Sequence, residues 1–395
     1  MLVAGVSTRA AAESAAKAGF DVTAIDAFGD LDQHPAVRSL LLPRDDGAPF
    51  TAQAAAEAVR DIAADAAVYL SPFENHTRAI DALVSAPSTA LRTGRALWGN
   101  PPDVLRRVRD PFLLTGVLRR RGFAAPLTRV DVPRELQSKE WLVKPFRSGG
   151  GHGVRPWTPD TPVLEGFYAQ ERIGGVPASI VFVAARGRVV PLGISRQLIG
   201  DAAFGASGYR YCGNVLASAD DDVITERVVE LLIALARHVT EQFGLIGLNG
   251  IDCLVYDEVP YAIEVNPRWC SSMELVERQY GVSIFGVHAA ACVDGVLPDF
   301  DLSSARRIRS VLGKAIIFAP FDIRVGDTRL WLSDDSVRDV PKPGEQLTEG
   351  QPICTVFANA VGVEQCLEQL KTRSQSIVNR FKTSRDPDTL KSSDS

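Results

Sequence analysis

The stretch WLVKPFRSGGGHGV, Trp141 to Val154, constrains this chain more than any other. Three apolar residues (Trp141, Leu142, Val143) deliver Lys144, and Gly149, Gly150, Gly151 and Gly153 follow within a few positions. Glycine has no Cβ, so such a loop adopts positive φ and brings backbone N–H groups close to an anion. A lysine leaving a strand just before the loop offers a point charge for the same anion. The spacing is not that of a Walker A loop, which sets Lys and Ser/Thr directly after its last glycine. The same letters also read as a surface hairpin with a solvated lysine. The choice falls to the rest of the chain.

At 395 residues the chain is long enough for two or three domains. Hydrophobic residues make up 46% and charged residues 23%, ordinary for a soluble globular protein. A formal net charge of −5 and a pI near 5.7 leave no electrostatic footprint for nucleic acid. Six cysteines (Cys212, Cys253, Cys270, Cys292, Cys354, Cys366) are scattered without a CxxC pair, which predicts buried free thiols rather than a zinc site or a disulfide framework. No leader pattern precedes LVAGV and no run approaches a membrane span. A cytoplasmic protein with no membrane and no nucleic-acid partner is expected.

The chain opens with a βαβ pattern: a strand at 2–6, a helix at 8–18 ending at Gly19, and a strand at 21–26. Asp26 ends that second strand, where a dinucleotide-binding domain would hold a ribose. The first turn, Gly5-Val6-Ser7-Thr8-Arg9, lacks G-x-G-x-x-G and disfavours such a site. A helix at 51–62, a strand at 66–71 and a helix at 76–84 continue the alternation. Beyond Arg119, Arg120 and Arg121 the pattern turns to strands at 141–145, 154–157, 168–173, 178–184 and 188–195. A helix at 223–242 carries Val228, Val229, Leu232, Leu235, Ala236 and Val239 on one face. Strands at 250–257 and 260–267 are joined by a turn at Glu258-Val259, and helices follow at 272–279 and 284–293. After residue 300 strands are predicted at 314–321, 328–334 and 352–359, then a helix at 362–380.

The hairpin GIDCLVYDEVPYAIEVNPR is the most informative neighbour of the glycine loop. Glu264 and Asn266 lie two apart and share a strand face, and the turn brings Asp252 back alongside them. Two carboxylates and an amide oxygen are hard ligands suited to Mg²⁺ that also binds phosphate oxygens. Arg268 projects to the same side if the chain stays extended, ready to clamp a phosphoryl group or a carboxylate. A solvent-facing acidic hairpin has the same periodicity. The combination of a lysine–glycine loop with this hairpin about a hundred residues on tips the reading.

With these motifs the chain resembles the ATP-grasp superfamily. The resemblance implies an α/β and α+β fold: a Rossmann-like open α/β pre-domain at 1–102 and an ATP-grasp domain at 103–300, with its flap at 144–154 and metal hairpin at 250–268. A small β-rich C-terminal domain at 301–383 and a disordered tail at 384–395 complete it. It implies ATP and Mg²⁺, or Mn²⁺, as cofactors. Lys144 would contact nucleotide phosphates under a flap of Ser148, Gly149, Gly150, Gly151 and Gly153. Gln170, Glu171 and Ile173 would form a hinge whose backbone takes the adenine edge. Asp252, Glu264 and Asn266 would hold the metal, with Arg268 and Lys144 catalytic. Family members usually carry a second nucleotide lysine in a D-K pair; this chain reads Asp110-Pro111, which leaves that contact missing or supplied by Arg109. Arg147 and His152 also sit in the flap, the latter read as a solvated loop residue.

GVSTRAAAESAAKAGFDVTAIDAFGD, GISRQLIGD and GYRYCGN look like a branch of predicted carboligases related to biotin carboxylase, some resembling enzymes of one-carbon carrier cofactor pathways. The implied reaction is carboxylate–amine ligation through an acylphosphate on small-molecule substrates, ADP-forming, in a chain that the resemblance allows to be a homodimer. Carboxylation through carboxyphosphate, or nucleotide or metabolite binding without turnover, are the alternatives. Candidate substrate contacts are Ser7, Thr8 and Arg9 at the first βα turn, Glu74, Asn75 and His76 on the same edge, and Arg196 and Arg210. A cap or a surface salt bridge explains each of these equally well.

Overall fold

The structure is a computed structural model and describes residues 1–42, 50–86, 94–159 and 161–382. The tail expected to be disordered, 384–395, lies outside the described residues.

The N-terminal part runs β1 (Leu2–Ala4), α1 (Arg9–Lys17), β2 (Val22–Asp26), β3 (Val37–Leu41), α2 (Ala52–Ala58), β4 (Ala66–Tyr69), α3 (Thr77–Ser85) and β5 (Ala96–Leu97). Its strands form one parallel sheet in the order β3-β2-β1-β4-β5. Strands covered on both faces read as continuous apolar runs, and Leu2, Val3 and Ala4 are all fully buried. The edge strand β3 escapes a sequence reading because only Val37 of its five residues is buried.

Two helices, α4 (Pro102–Val108) and α5 (Pro111–Arg120), carry the chain onward. Asp110 caps α5, accepting from Phe112 and Leu113 N–H, and Pro111 sits at the first helical position, where its missing N–H costs nothing. A four-stranded antiparallel sheet follows in the order β6-β9-β7-β8: β6 (Thr128–Arg129), β7 (Trp141–Pro145), β8 (Arg155–Pro156) and β9 (Phe167–Glu171). The glycine loop is thus the connection of a hairpin pairing Val143 with Arg155.

The largest sheet contains β10 (Val176–Ala185), β11 (Arg188–Ile199), β12 (Tyr211–Leu216), β13 (Gly247–Tyr256), β14 (Val259–Asn266) and β15 (Ser310–Phe318). Helix α6 (Glu226–Phe243) precedes β13, and α7 (Met273–Tyr280), α8 (Ile284–Val293) and α9 (Leu302–Arg306) separate β14 from β15. The chain then runs β16 (Ile323–Arg324), β17 (Val337–Arg338), β18 (Gln346–Leu347), β19 (Pro352–Val361) and α10 (Val363–Lys382). The sheet order is β14-β13-β10-β11-β12-β15-β19-β17, so the C-terminal strands continue the central sheet; β16 and β18 pair separately.

Helix α6 shows why the core sits where it does. Thr225 caps it and Gly244, left-handed at φ 73°, ends it. Its stripe of Val228, Val229, Leu232, Leu235, Ala236 and Val239 is buried against β10, β13 and β14. Truncating Leu232, which is 0% exposed, to alanine costs about 2–5 kcal/mol.

Two expectations need correction. The predicted strand at 328–334 is a 3₁₀ helix, Arg329–Ser333. Thr328 and Trp331 are its buried positions, a spacing of three rather than the two a half-buried strand requires. The hairpin turn falls on Asp257 and Glu258 (φ 49° and 55°), one residue before the expected place. Both central residues are left-handed, as in the primed turns that match strand twist.

Candidate functional site

A cavity of about 590 Å³ opens between the two antiparallel sheets. The strands β13 and β14 form its floor, and the register there is not uniform. Cys253 pairs with Ala262, but Asp252 pairs with Glu264, leaving Ile263 as a bulge. Uniform pairing from the turn would set Asp252 opposite Ile263 and send Glu264 to the other face. The bulge instead places Asp252, Glu264 and Asn266 together, all three lining the cavity.

The electrostatics follow from that placement. The two carboxyl groups share a hydrogen bond, and burial with the neighbouring Glu264 pushes Asp252 up to about 7. Burial raises Glu264 too, but Arg109 and Lys144 more than offset this and hold it below the usual carboxylate value. Asn266 Nδ2 donates to Asp252 (2.8 Å) and its Oδ1 accepts from Arg268 (3.1 Å). Gln197 Nε2 donates to the other Asp252 oxygen at 2.9 Å. Among the described residues no group of three or more His, Cys, Asp or Glu could hold a metal. The set present is two carboxylates and an amide oxygen, and Mg²⁺ commonly takes one or two carboxylates with substrate phosphates completing its shell. A carboxyl pair that shares a proton in the absence of a metal ion fits such an ion.

Three cations surround the pair. Lys144 Nζ bonds Gln170 Oε1 at 2.6 Å, and burial lowers its pKa to about 8 against the pull of Glu264 and Asp252. Gln170 is 2% exposed, and its Nε2 has no partner. Arg268 donates to Glu74 at 2.7 Å and to the Trp269 carbonyl at 2.9 Å. Burial would lower the Arg268 pKa, but Glu74 holds it above the ordinary guanidinium value. Arg109, immediately before the helix-capping Asp110, reaches Glu264 (3.1 Å), the Val265 carbonyl (3.0 Å), Asn75 and the Ser148 carbonyl (3.1 Å). It therefore supplies a positive charge beside the two carboxylates.

The glycine loop roofs this arrangement. Ser148 Oγ donates to the His152 carbonyl, closing the loop on itself at 2.5 Å. Gly151 is left-handed (φ 79°), and a Cβ there would run into the Tyr209 carbonyl. Tyr211 N–H donates to the Gly150 carbonyl at 3.0 Å. Gly153, also at positive φ, lies at the loop's exit and outside the cavity wall. Glu171 and Ile173 line the cavity, but the Glu171 N–H is taken by the Leu127 carbonyl (2.8 Å) and its carboxylate by Lys139 and the Leu127 N–H.

The remaining candidates separate. Glu74 and Asn75 reach the site through Arg268 and Arg109. Thr8 bonds Asp26 at 2.8 Å, and Asp26 also accepts from Gly29 N–H, so this carboxylate organises its own turn. Ser7 is exposed and does not line the cavity. Arg9 is 1% exposed and ion-paired with Glu274 and Asp339 (2.6 Å each) and Glu13 (2.9 Å), so its charge is answered inside the protein. Arg196 clamps Asp221 (2.7 Å) and Asp222. Arg210 stacks on Phe318, its ring centroid 3.6 Å away, outside the cavity wall. The strand neighbour of Arg196, Gln197, is the residue that faces Asp252. Alternation along β11 holds the signal for it, once the inward face is known.

Residues 108–272 match the ATP-grasp domain family, and this stretch is an ATP-grasp domain. The chain is 25% identical over 295 residues to an uncharacterized protein of Methanocaldococcus jannaschii, covering 70% of this chain and 69% of that one. An L-amino acid ligase from Bacillus licheniformis superposes with a TM-score of 0.64 at 16% identity, over 96% of this chain and 97% of the ligase. A biotin carboxylase from Campylobacter jejuni, solved as a β,γ-ATP complex, gives 0.67 at 12% identity, over 98% of this chain and 96% of the carboxylase. These likenesses are of fold. No helix among the described residues is long and apolar enough to cross a membrane.

Proposed function

We propose that the protein is an ATP- and Mg²⁺-dependent, ADP-forming carboxylate–amine ligase acting on small molecules through an acylphosphate. The observation that carries this reading is the facing of Asp252 and Glu264 beneath a glycine loop, ringed by Lys144, Arg109 and Arg268. Bound there, Mg²⁺ would neutralise phosphate charge. Asp252, Glu264 and the Asn266 amide oxygen would hold it, in place of the proton that the carboxyl pair otherwise shares. Lys144 and Arg109 lower the cost of bringing a polyanion into the cavity. Arg268, held by the buried Glu74, offers its cation to the transferring group. The loop excludes water, so an activated acid meets an amine rather than hydrolysis.

Catalysis of this kind needs positioned charge and no protein nucleophile, and the six cysteines are free thiols in keeping with a reducing, cytoplasmic setting. The near-complete overlap with biotin carboxylase supports a second reading, carboxylation through carboxyphosphate with bicarbonate as the acid.

ADP release screened against amino acids, other acids and amines, and bicarbonate, with mass analysis of products, separates the two readings. Glu264→Ala and Lys144→Ala are expected to abolish ADP release while thermal unfolding stays cooperative. Turnover near the wild-type rate in either variant would reject the site.

A further inference from the structure

The cations at the cavity are answered by protein acceptors: Lys144 by Gln170, Arg268 by Glu74 and Arg109 by Glu264. Arg210 is different. Its guanidinium lies 3.6 Å from the Phe318 ring centroid, beside Gly350, and no acceptor among the described residues bonds it. Burial without a counter-charge pulls its pKa below the ordinary guanidinium value. A half-buried guanidinium that is stacked on a ring but bonded to no carboxylate or carbonyl is open to an arriving anion.

Its position is set by well-bonded backbone. Arg210 N–H donates to the Ser207 carbonyl (3.1 Å), and its own carbonyl accepts from Gly200 N–H (2.7 Å). The residues on either side, Tyr209 and Tyr211, line the cavity and hold Gly151 and Gly150 of the loop. The Arg210 guanidinium therefore sits behind the junction of wall and loop, backed by an aromatic ring. A planar guanidinium stacked on one side keeps its N–H fork for a carboxylate or phosphate.

We propose that Arg210 forms an oxyanion subsite at the seam between the glycine loop and the C-terminal strands. Its ligand is a carboxylate or phosphate. One source is a second acidic group on the acceptor, which rests on the ligase reading above; the other is free phosphate.

The first arm uses the full chain and inorganic phosphate alone, followed by ³¹P line broadening. Wild type is expected to bind, Arg210→Gln to weaken binding at least about tenfold, and Arg210→Lys to weaken it less, since a point charge replaces the fork. Arg329→Gln, an exposed cation outside the site, is expected to leave binding unchanged, with thermal unfolding confirming that each variant is folded. No binding to wild type, equal binding to Arg210→Gln, or an equal loss in Arg329→Gln overturns the subsite. The second arm compares acceptors with and without a second acid group, such as a carboxylate and its amide. A wild-type preference that Arg210→Gln loses through KM rather than kcat assigns the anion to the acceptor. A phosphate-dependent rate without such preference assigns free phosphate. Because the first arm needs no turnover, absence of ADP formation counts against the ligase reading and leaves the subsite judged by phosphate binding.

Discussion

Asp252 faces Glu264 across the β13–β14 ladder only because Ile263 is squeezed out between them. The bulge makes two carboxyl groups neighbours in a buried floor, and it raises Asp252 to about 7 through burial and the charge of Glu264. This pairing has a signature in stability. A carboxyl group whose folded pKa lies above its unfolded value favours the fold while protonated, and that contribution falls away as pH rises through the folded pKa. Metal-free protein should therefore lose thermal stability between about pH 4, the unfolded carboxyl value, and about pH 7, and level off beyond it. Asp252→Asn should flatten that decline, and Mg²⁺ should raise the melting temperature most at the alkaline end. Scanning calorimetry across pH tests this; a parallel decline in Asp252→Asn would remove the pair as its cause.

Arg109 ties a floor carboxylate, an N-terminal amide and a loop carbonyl together. Arg109→Ala should free the loop and leave Glu264 short of a cation. Hydrogen exchange at 148–153 should quicken, and Mg·ADP affinity should fall by about 1.5–3 kcal/mol, the worth of a charged hydrogen bond. Titration calorimetry showing unchanged affinity would confine Arg109 to a structural role.

Gly151 is the loop residue with least room for change. A side chain there meets the Tyr209 carbonyl and sits at φ 79°, a backbone state costing about 1–3 kcal/mol for other residues. Gly151→Ala should slow ADP formation while the melting temperature stays within a few degrees. Gly166→Ala is the control, since its positive φ is accompanied by open space. Equal rates in both variants would show that closure at Tyr209 does not matter.

Glu274 joins α7 to α1 through Arg9 (2.6 Å) and to β15 through Lys314 (2.9 Å). Burial pushes its carboxyl up, but the two cations hold it well below the usual range. Its stabilising share is present above the unfolded carboxyl pKa and is lost only as pH falls through the much lower folded value. Glu274→Ala should cost about 3–5 kcal/mol, because buried Lys314 loses its carboxylate and buried Arg9 loses one of its own. Chemical denaturation checks the magnitude, and a loss under about 1 kcal/mol would mean the cluster re-pairs without it.

Much of the architecture is legible locally. Strand β7 and helix α8 fall where their letters place them, and the stripe of α6 is the buried face that its helical spacing marks. Capping residues, apolar periods and glycine turns act over a few positions, so neighbouring letters suffice to read them. The association of Lys144 with the glycine loop, and of Glu264 with Asn266, is likewise a matter of spacing along one strand.

What the tertiary structure decides is which charges meet. Arg9 and Arg196 look like ligand contacts along the chain, yet Asp339, 330 positions on, takes up the first and Asp221, 25 positions on, the second, while Gln197 turns inward to Asp252. One extra residue at Ile263 chooses the face on which Glu264 lies. Coulomb energy and desolvation depend on which groups fold into contact, and contacts between residues hundreds apart leave no mark on the spacing of either.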